Sequence, residues 1–324
     1  MKWFTELLGM RPLESPSVVT FGTFDGVHIG HQAVIGRVVE EAHRCGLPSV
    51  VLSFDPHPLK FIAPDKAPLL LTPSVKKLEL FEGLGVDVAV LAKLEPQLAE
   101  MSPRQFVEGV LIGKLRAQKI VVGPDCSFGK GRLGNVEVLK GLGERFGFNV
   151  HVVPKKRIDG LPVSSTRVRR AIEEGEMKLA ERMLGRHYSL LGRVIKGEGI
   201  GGRIGYPTAN LDTNDQLLPP KGVYAAWVRL EEGRFKGLLY IGERPTFEGE
   251  EIRAEVHILD FSGDIYGRWL EVELVEMIRG EKRFSSPEDL AKRLSQDERI
   301  ARRMLTAESD GKKNYPLSPQ SLST

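Results

Sequence analysis

The stretch Val18-Val19-Thr20-Phe21-Gly22-Thr23-Phe24-Asp25-Gly26-Val27-His28-Ile29-Gly30-His31 carries the first decision about the fold. Its opening four residues are apolar or β-branched and read as a strand. Gly22 and Gly26 allow a tight turn and a close approach to a ligand, because they lack a Cβ. A helix is expected to begin near Gly30, with apolar positions at Val34, Ile35, Val38, Ala42 and Cys45, and a second strand at Ser49 to Phe54. Strand, glycine turn and helix start form the arrangement in which open α/β sheets bind nucleotides, since the first N–H groups of the helix suit a phosphate. His28 and His31 stand three apart and meet if the helical turn starts between them. Two imidazoles there could donate hydrogen bonds to phosphate oxygens. Capping or packing is the plainer reading of the pair, and a zinc site completed by Asp55 or His57 is another.

Working outward, strand-like runs recur at Asp87 to Leu91, Lys119 to Val122 and Asn149 to Val153, each after a helical pattern. One helix is marked by Ser102 at the N-cap, Pro103 at the first position and Gln105 closing a capping box. This alternation predicts a doubly wound parallel sheet. Beyond Gly185 the period changes. Leu270, Val272 and Leu274 alternate with Glu271 and Glu273, and Ala254, Val256 and Ile258 with Arg253, Glu255 and His257, as half-buried strands do. Glu231-Glu232-Gly233-Arg234 separates two strand-like runs as a hairpin turn would. Short strands divided by Gly and Pro predict a small antiparallel β-barrel, closed by a helix that Ser286 and Pro287 open. The expected division is therefore 1–185, 186–306 and a polar, disordered tail over 307–324.

A length of 324 residues accommodates two domains, and 41% hydrophobic with 27% charged residues is ordinary for globular chains. Lys plus Arg at 46 against Asp plus Glu at 43 leaves a net charge of +3, which argues against a nucleic-acid partner. Two cysteines, Cys45 and Cys126, cannot build a disulfide framework and suggest a reducing compartment. Met1 to Pro16 shows no signal-peptide pattern and no apolar run reaches membrane-spanning length, so a cytoplasmic protein without a membrane partner is expected. Oligomeric state is not legible.

Two further segments carry candidate chemistry. Val163-Ser164-Ser165-Thr166-Arg167 offers hydroxyls, N–H groups and a guanidinium at a helix start, with simple capping as the plain alternative. Gly192 to Asn210 is glycine-rich but lacks the Gly-Lys-Ser/Thr ending of a P-loop. Physics alone says that its backbone could wrap phosphates, or that it is a mobile surface loop.

The motif Gly22 to His31 resembles the His-x-Gly-His signature of the nucleotidyltransferase superfamily, and Phe-Asp-Gly narrows it to the FAD synthetase branch. Ser164-Ser165-Thr166-Arg167 is similar to that family's Ser-Ser-Thr-Arg motif, and Phe54-Asp55-Pro56-His57-Pro58 and Gly123 to Gly129 match further segments. Gly205-Tyr206-Pro207-Thr208-Ala209-Asn210 resembles the Pro-Thr-Ala-Asn motif of riboflavin kinases. Gly222-Val223-Tyr224-Ala225, Ile241-Gly242-Glu243-Arg244-Pro245-Thr246-Phe247, Ala254-Glu255-Val256-His257 and Ile278 to Phe284 follow in the family's order. Thr23, Cys126 and Tyr240 depart from the usual pattern, standing respectively for Asn or a small apolar residue, an aromatic, and Asn.

This likeness to the prokaryotic bifunctional FAD synthetases covers about Val18 to Met304. It implies a Rossmann-like nucleotidyltransferase domain followed by a riboflavin kinase barrel: riboflavin is phosphorylated by ATP to FMN, which ATP then adenylylates to FAD. It assigns transition-state stabilisation to His28 and His31 and general-base chemistry to Glu255. Nucleotide or flavin binding falls to Gly22, Phe24, Asp25, Gly30, Asp125, Phe128, Ser164, Ser165, Thr166, Arg167, Gly197, Gly202, Arg203, Gly205, Pro207, Arg279 and Phe284. Thr208 and Asn210, hard oxygen ligands, are assigned to Mg²⁺ bound with ATP. The alternatives are a nucleotidyltransferase for another small phosphate compound and a barrel that only senses flavin; mere binding would need neither metal ligands nor a base.

Overall fold

The computed structural model describes residues 1–197, 205–246, 249–282 and 284–307, with the backbone alone for 244–246, 249–251 and 307. Gly202, Arg203 and the tail beyond 307 lie outside the described residues. The chain divides into two compact units, one of residues 1–70 and 74–164, the other of 71–73 and the chain from Ser165 onward.

The first unit is built on strands β1 (Lys2–Phe4), β2 (Ser17–Phe21), β3 (Ser49–Phe54), β4 (Val88–Ala92), β5 (Ala117–Val122) and β6 (Asn149–Val152). They form one parallel sheet in the order β1-β4-β3-β2-β5-β6. Helices α1 (Ile29–Cys45), α2 (Pro58–Ile62), α3 (Ser74–Gly83), α4 (Pro96–Ala99), α5 (Pro103–Gln105) and α6 (Val136–Phe146) connect them, and a short hairpin, β7 (Arg157–Ile158) with β8 (Leu161–Pro162), ends the unit. Apolar residues fill both faces of the strands, as a sheet covered on both sides requires. Val50 and Leu52 join the cluster with Phe106 and Leu111, while Val51 packs with Ile35, Leu78 and Phe81 on the opposite face. The capping box at Ser102 forms as expected, and the helix then widens to π geometry over Phe106–Ile112. Strand β1, at the sheet edge, is too short for periodicity to reveal.

From β2 the chain steps outward to β3 and β4, then returns to place β5 and β6 on the other side of β2. The connection therefore reverses between β2 and β5, and the crevice at their carboxyl ends is where such sheets bind ligands. The loops leaving those ends are Gly22 to His28 and Gly123 to Gly129.

The second unit opens with α7 (Ser165–Glu173) and α8 (Met177–Leu184), which pack on each other, α8 also lying against the barrel. Strands β9 (Tyr188–Ile195), β10 (Ala209–Asp212), β11 (Gly222–Leu230), β12 (Gly233–Thr246), β13 (Gly249–Ile258) and β14 (Trp269–Gly280) close a barrel in the order β10-β13-β12-β11-β14-β9. Every pairing is antiparallel, and β9 returns to β10. Leu230 pairs with Gly233, leaving Glu231 and Glu232 as the hairpin turn. Helix α9 (Pro287–Ala307) lays Ala301 and Leu305 on Val223, Ala225 and Trp227 of the outer face, whereas Tyr224, Ala226, Leu239, Ile241, Ala254 and Val256 are buried on the alternate, inner face.

The charged positions of β14 are less open than their alternation implies. Glu271 is buried, with its Oε2 3.6 Å from Arg229 Nη1, and Arg234 donates to Glu273 at 2.7 Å while its guanidinium lies 4.2 Å from the Trp227 ring centroid. Mutual pairing lets carboxylates occupy a face that period alone would give to solvent.

At Gly192 the barrel closes so tightly that a Cβ would collide with the carbonyl oxygen of Asp212. The Gly192→Ala variant is expected to lose about 1–3 kcal/mol of stability, the usual cost of overpacking, seen as a lower urea midpoint of the barrel transition.

Candidate active sites

In the first unit the loop after β2 is held in a strained conformation. Phe24 (φ 46°), Gly26 (φ 84°) and Val27 (φ 39°) all adopt left-handed backbone, which only the glycine does without penalty. Such strain, of order 1–3 kcal/mol per residue, persists where the surroundings over-determine it and gathers at functional sites. Here Lys77, reaching up from α3, donates to the carbonyls of Thr23 (3.1 Å) and Phe54 (3.3 Å), Ser53 Oγ donates to Thr23 (3.0 Å), and Gln32 Nε2 donates to Val27 (2.8 Å). Phe24 turns inward, edge-on to Phe81 and to His31 at 6.0 and 5.2 Å between centroids. Asp25 is buried as well.

Helix α1 starts at Ile29 with no acidic residue in its first turn, so its positive end is not neutralised from within. His28 is its N-cap: Nδ1 accepts the backbone N–H of His31 at 3.2 Å. A neutral imidazole that accepts at Nδ1 carries its proton at Nε2, which makes that edge a donor. The His28 and His31 rings stack, 3.6 Å between centroids and 16° between planes. Gly30 permits this, since a Cβ would lie 3.1 Å from His28 Cε1 and 4.0 Å from the Val163 carbonyl oxygen. The same spacing shows that the segment ending in Ser164 arrives beside the start of α1. His28 thus both caps the helix and stacks on His31.

His31 Nδ1 is enclosed and has no hydrogen-bond partner. Burial holds the His31 pKa well below its ordinary 6.5, and the nearby His28 and Lys77 push it the same way. Burial also lowers the Lys77 pKa, against the opposing pull of the Asp25 and Asp55 carboxylates. Among the described residues no group of three His, Cys, Asp or Glu side chains is arranged to hold a metal ion, and His57 instead caps α2 by accepting from Leu59 N–H.

The loop after β5 contributes differently from its motif. Asp125 is exposed and paired with Lys155 at 2.5 Å. Phe128 is buried among Phe21 (5.5 Å) and Phe106 (5.8 Å), so its ring braces the carboxyl end of β2 from within the core. Ser164 is the last residue of the first unit and stands at the N-cap position of α7, whose first turn is Ser165, Thr166 and Arg167.

In the second unit strand register assembles the residues. Ile195 pairs with Asn210, Asn210 with Glu255, Glu255 with Tyr240, Tyr240 with Val223 and Val223 with Arg279. Directly paired residues share a face. One row therefore runs Ile195–Asn210–Glu255–Tyr240–Val223–Arg279 across the outer wall of all six strands. Thr208, two residues before Asn210, donates its hydroxyl to Glu255 Oε2 at 3.0 Å. A Cβ on Gly197 would collide with the Asn210 amide, which places that glycine against the same group. His257 Nδ1 lies 2.8 Å from the Pro207 carbonyl oxygen, and Tyr206 is edge-on to the His257 ring. Arg279 is anchored from behind: Nε donates to Asp297 Oδ2 at 2.8 Å, Arg293 holds the other carboxylate oxygen at 3.0 Å, and the Phe284 ring lies 5.5 Å away. Gly205 is exposed with a left-handed φ of 83°.

Known proteins resemble this chain along most of its length. The FAD synthetase family model matches residues 11–167 and the riboflavin kinase model residues 184–305. The bifunctional riboflavin kinase/FMN adenylyltransferase of Escherichia coli K12 is 39% identical over 296 residues, covering 91% of this chain and 94% of its own. The chain belongs to the bifunctional riboflavin kinase/FMN adenylyltransferase family. The enzyme of that name from Pseudomonas fluorescens is 38% identical over 91% of this chain and 95% of its own. A solved structure described as a macrolide-efflux protein from Streptococcus pneumoniae is similar across 92% of this chain and 98% of its own, with a TM-score of 0.82 and 32% identity. Among the described residues no helix is long and apolar enough to cross a membrane.

Two supporting residues of this family member escape sequence reasoning: Lys77 and Asp297. Lys77 had a faint signal, since it stands four residues before Phe81 on the inward stripe of α3. The electrostatics of His31 can be checked. An unfolded chain protonates this ring below about pH 6.5, whereas the fold resists doing so until lower pH. The contribution of His31 to stability is thus fully present above pH 6.5 and lost as pH falls below it. Its ring resonances should not titrate through pH 6.5, and a His31→Gln variant should show a flatter decline of urea midpoint between about pH 7 and 5.5.

Proposed function

We propose that the chain forms FAD from riboflavin in two ATP-dependent steps, with the outer row of the barrel as the kinase site and the β2–α1 loop as the adenylylation site. The observation that carries the reading is the row itself: Asn210, Glu255 and Arg279, from three motifs distant in sequence, fall on one line of cross-strand pairs.

In the kinase step the 5′-hydroxyl oxygen of riboflavin bonds to the γ-phosphorus of ATP, the bond to the β,γ-bridging oxygen breaks, and ADP leaves. Glu255 takes the hydroxyl proton, the role of a carboxylate base in phosphoryl transfer. Thr208 hydrogen-bonds to that carboxylate and orients it. The Thr208 hydroxyl and the Asn210 amide oxygen are hard, neutral oxygen donors beside the base, a set that fits Mg²⁺ carried with ATP phosphates. When bound, that ion neutralises phosphate charge. Gly197, Gly205 and Pro207 line the nucleotide side in this reading, and Gly202 and Arg203 are assigned to the nucleotide by their motif alone; Arg279 and Phe284 belong to the flavin side.

In the second step a phosphate oxygen of FMN bonds to the α-phosphorus of the second ATP, and pyrophosphate leaves with the bridging oxygen. The protein's part is placement and charge compensation. The start of α1, with Gly22 and Gly30, takes the phosphates. The Nε2–H edge of His28 and the His31 ring supply directed hydrogen bonding to the charge that develops. The Ser164-Ser165-Thr166-Arg167 motif is assigned to phosphate binding, and Asp125 to the nucleotide or flavin. Phe24 and Phe128, buried as they are, act by shaping the loops. A cytoplasmic location is part of the proposal, supported by Cys45 and Cys126 being free thiols.

Glu255→Gln is expected to abolish FMN formation from riboflavin while supplied FMN is still converted to FAD; chromatography with fluorescence detection reads both, and loss of both together would make the residue structural. His31→Ala should slow FAD formation by about 10²–10³-fold, the usual effect of removing one such donor; an unchanged rate would remove His31 from the reaction.

A further inference from the structure

Tyr240 stands next to Glu255 in the outer row, on the side away from Asn210. The order Asn210, Glu255, Tyr240 has a consequence for the kinase reading proposed above, on which this inference rests. In phosphoryl transfer the attacking and leaving oxygens stand on opposite sides of the phosphorus. With the nucleotide's phosphates on the Asn210 and Thr208 side of the base, the alcohol substrate enters from the other side, where Tyr240 stands.

The ring of Tyr240 leans along β12 and passes over Gly242, where a Cβ would collide with the phenol oxygen. Asparagine, the residue usual in the family at this position, is too short for that reach. The hydroxyl donates to Glu281 Oε1 at 2.8 Å. Glu281 is the first residue beyond β14, and Lys282 follows it. Arg279, the penultimate residue of β14, is tied to α9 through buried Asp297. The carboxyl end of β14 is therefore tethered twice, once to the helix and once across the barrel wall to Tyr240. Burial, then the hydrogen bond and charge of Glu281 and the charge of Glu255, pushes the Tyr240 pKa up to about 12, so the phenol remains a donor across the physiological range.

We propose that Tyr240 is a positioning residue of the kinase site: its hydrogen bond to Glu281 holds the carboxyl end of β14 against the barrel wall beside Glu255 and so sets how firmly riboflavin is retained. The tether acts on binding and not on the transferred phosphoryl group. Tyr240→Phe keeps the ring and removes the donor, and Glu281→Ala removes the acceptor. Each should raise the KM for riboflavin about two- to fivefold, as expected on losing one hydrogen bond to an exposed carboxylate, with kcat within about twofold and adenylylation of supplied FMN unaltered. The double variant should be no worse than either single one, because both changes cut the same bond. A wild-type KM in Tyr240→Phe, or effects that multiply in the double variant, would overturn the proposal. A purely structural role would lower the unfolding midpoint and leave the KM in place. Quenching of riboflavin fluorescence reads the same effect without turnover. A wild-type protein that binds riboflavin but forms no FMN would thus sink the kinase reading while the effect of Tyr240 remained measurable.

Discussion

Strand register in the closed barrel is the constraint on which the second unit depends. Side chains along a strand point alternately to opposite faces, so a slip of one residue would carry Asn210, Glu255 and Arg279 into the interior and expel Ala254 and Val256. Packing of the apolar interior and placement of the polar row are consequently one choice. Closure fixes it further: β9 pairs with both β10 and β14, leaving no free edge along which the ladder could shift. Helix α9 adds the last element, covering Val223, Ala225 and Trp227 on the outside and delivering Asp297 to Arg279. An aspartate so deeply buried is tolerated because two guanidiniums hold its two oxygens.

The first unit solves a related problem with charge. Polyphosphate chemistry calls for positive potential, yet free histidines near neutrality offer it unreliably. Here positive potential comes from a helix end and from Lys77, whose amino group is buried against the carbonyls of Thr23 and Phe54. That same group helps to keep His31 neutral. In the proposed reading the histidines act through directed hydrogen bonds and the lysine through its field. The strained loop at Phe24 and Val27 follows from holding all of these groups within one turn of β2.

Much of this was legible in the sequence. The β2–α1 segment, the capping box at Ser102, the hairpin at Glu231-Glu232 and the outward face of β13 all rest on local rules of period and turn chemistry, and local rules can be read from one chain. What period two could not reveal is which outward faces are later covered. Glu271 reads as solvent-facing because nothing in its strand announces Arg229, 42 positions earlier in sequence and paired across the ladder. Lys77 and Asp297 were illegible for the same reason. Each acts on a partner from another element, and a lysine and an aspartate are by default surface residues. Phe128 was read by its motif as a ligand contact, and the fold shows its ring buried among aromatics, because a motif records that a residue is needed without recording which way it faces.

The three departures from the family's pattern can be sorted by what each position offers the structure. Thr23 contributes its carbonyl oxygen, which accepts from Lys77 and Ser53, so its side chain is free to differ. Cys126 contributes volume: it packs against the core cluster that holds Phe21, Phe106 and Phe128, and burial pushes its thiol up to about 12, which makes it inert at neutral pH. A small thiol where an aromatic is usual alters packing behind the loop and leaves the chemistry at its surface untouched. Tyr240 belongs to a third kind. Its position lies in the functional row, its neighbour Gly242 leaves space for the ring, and its hydroxyl reaches a residue that asparagine could not. Of the three substitutions, this one lies on the face proposed for the kinase site, where its hydroxyl makes a contact with Glu281.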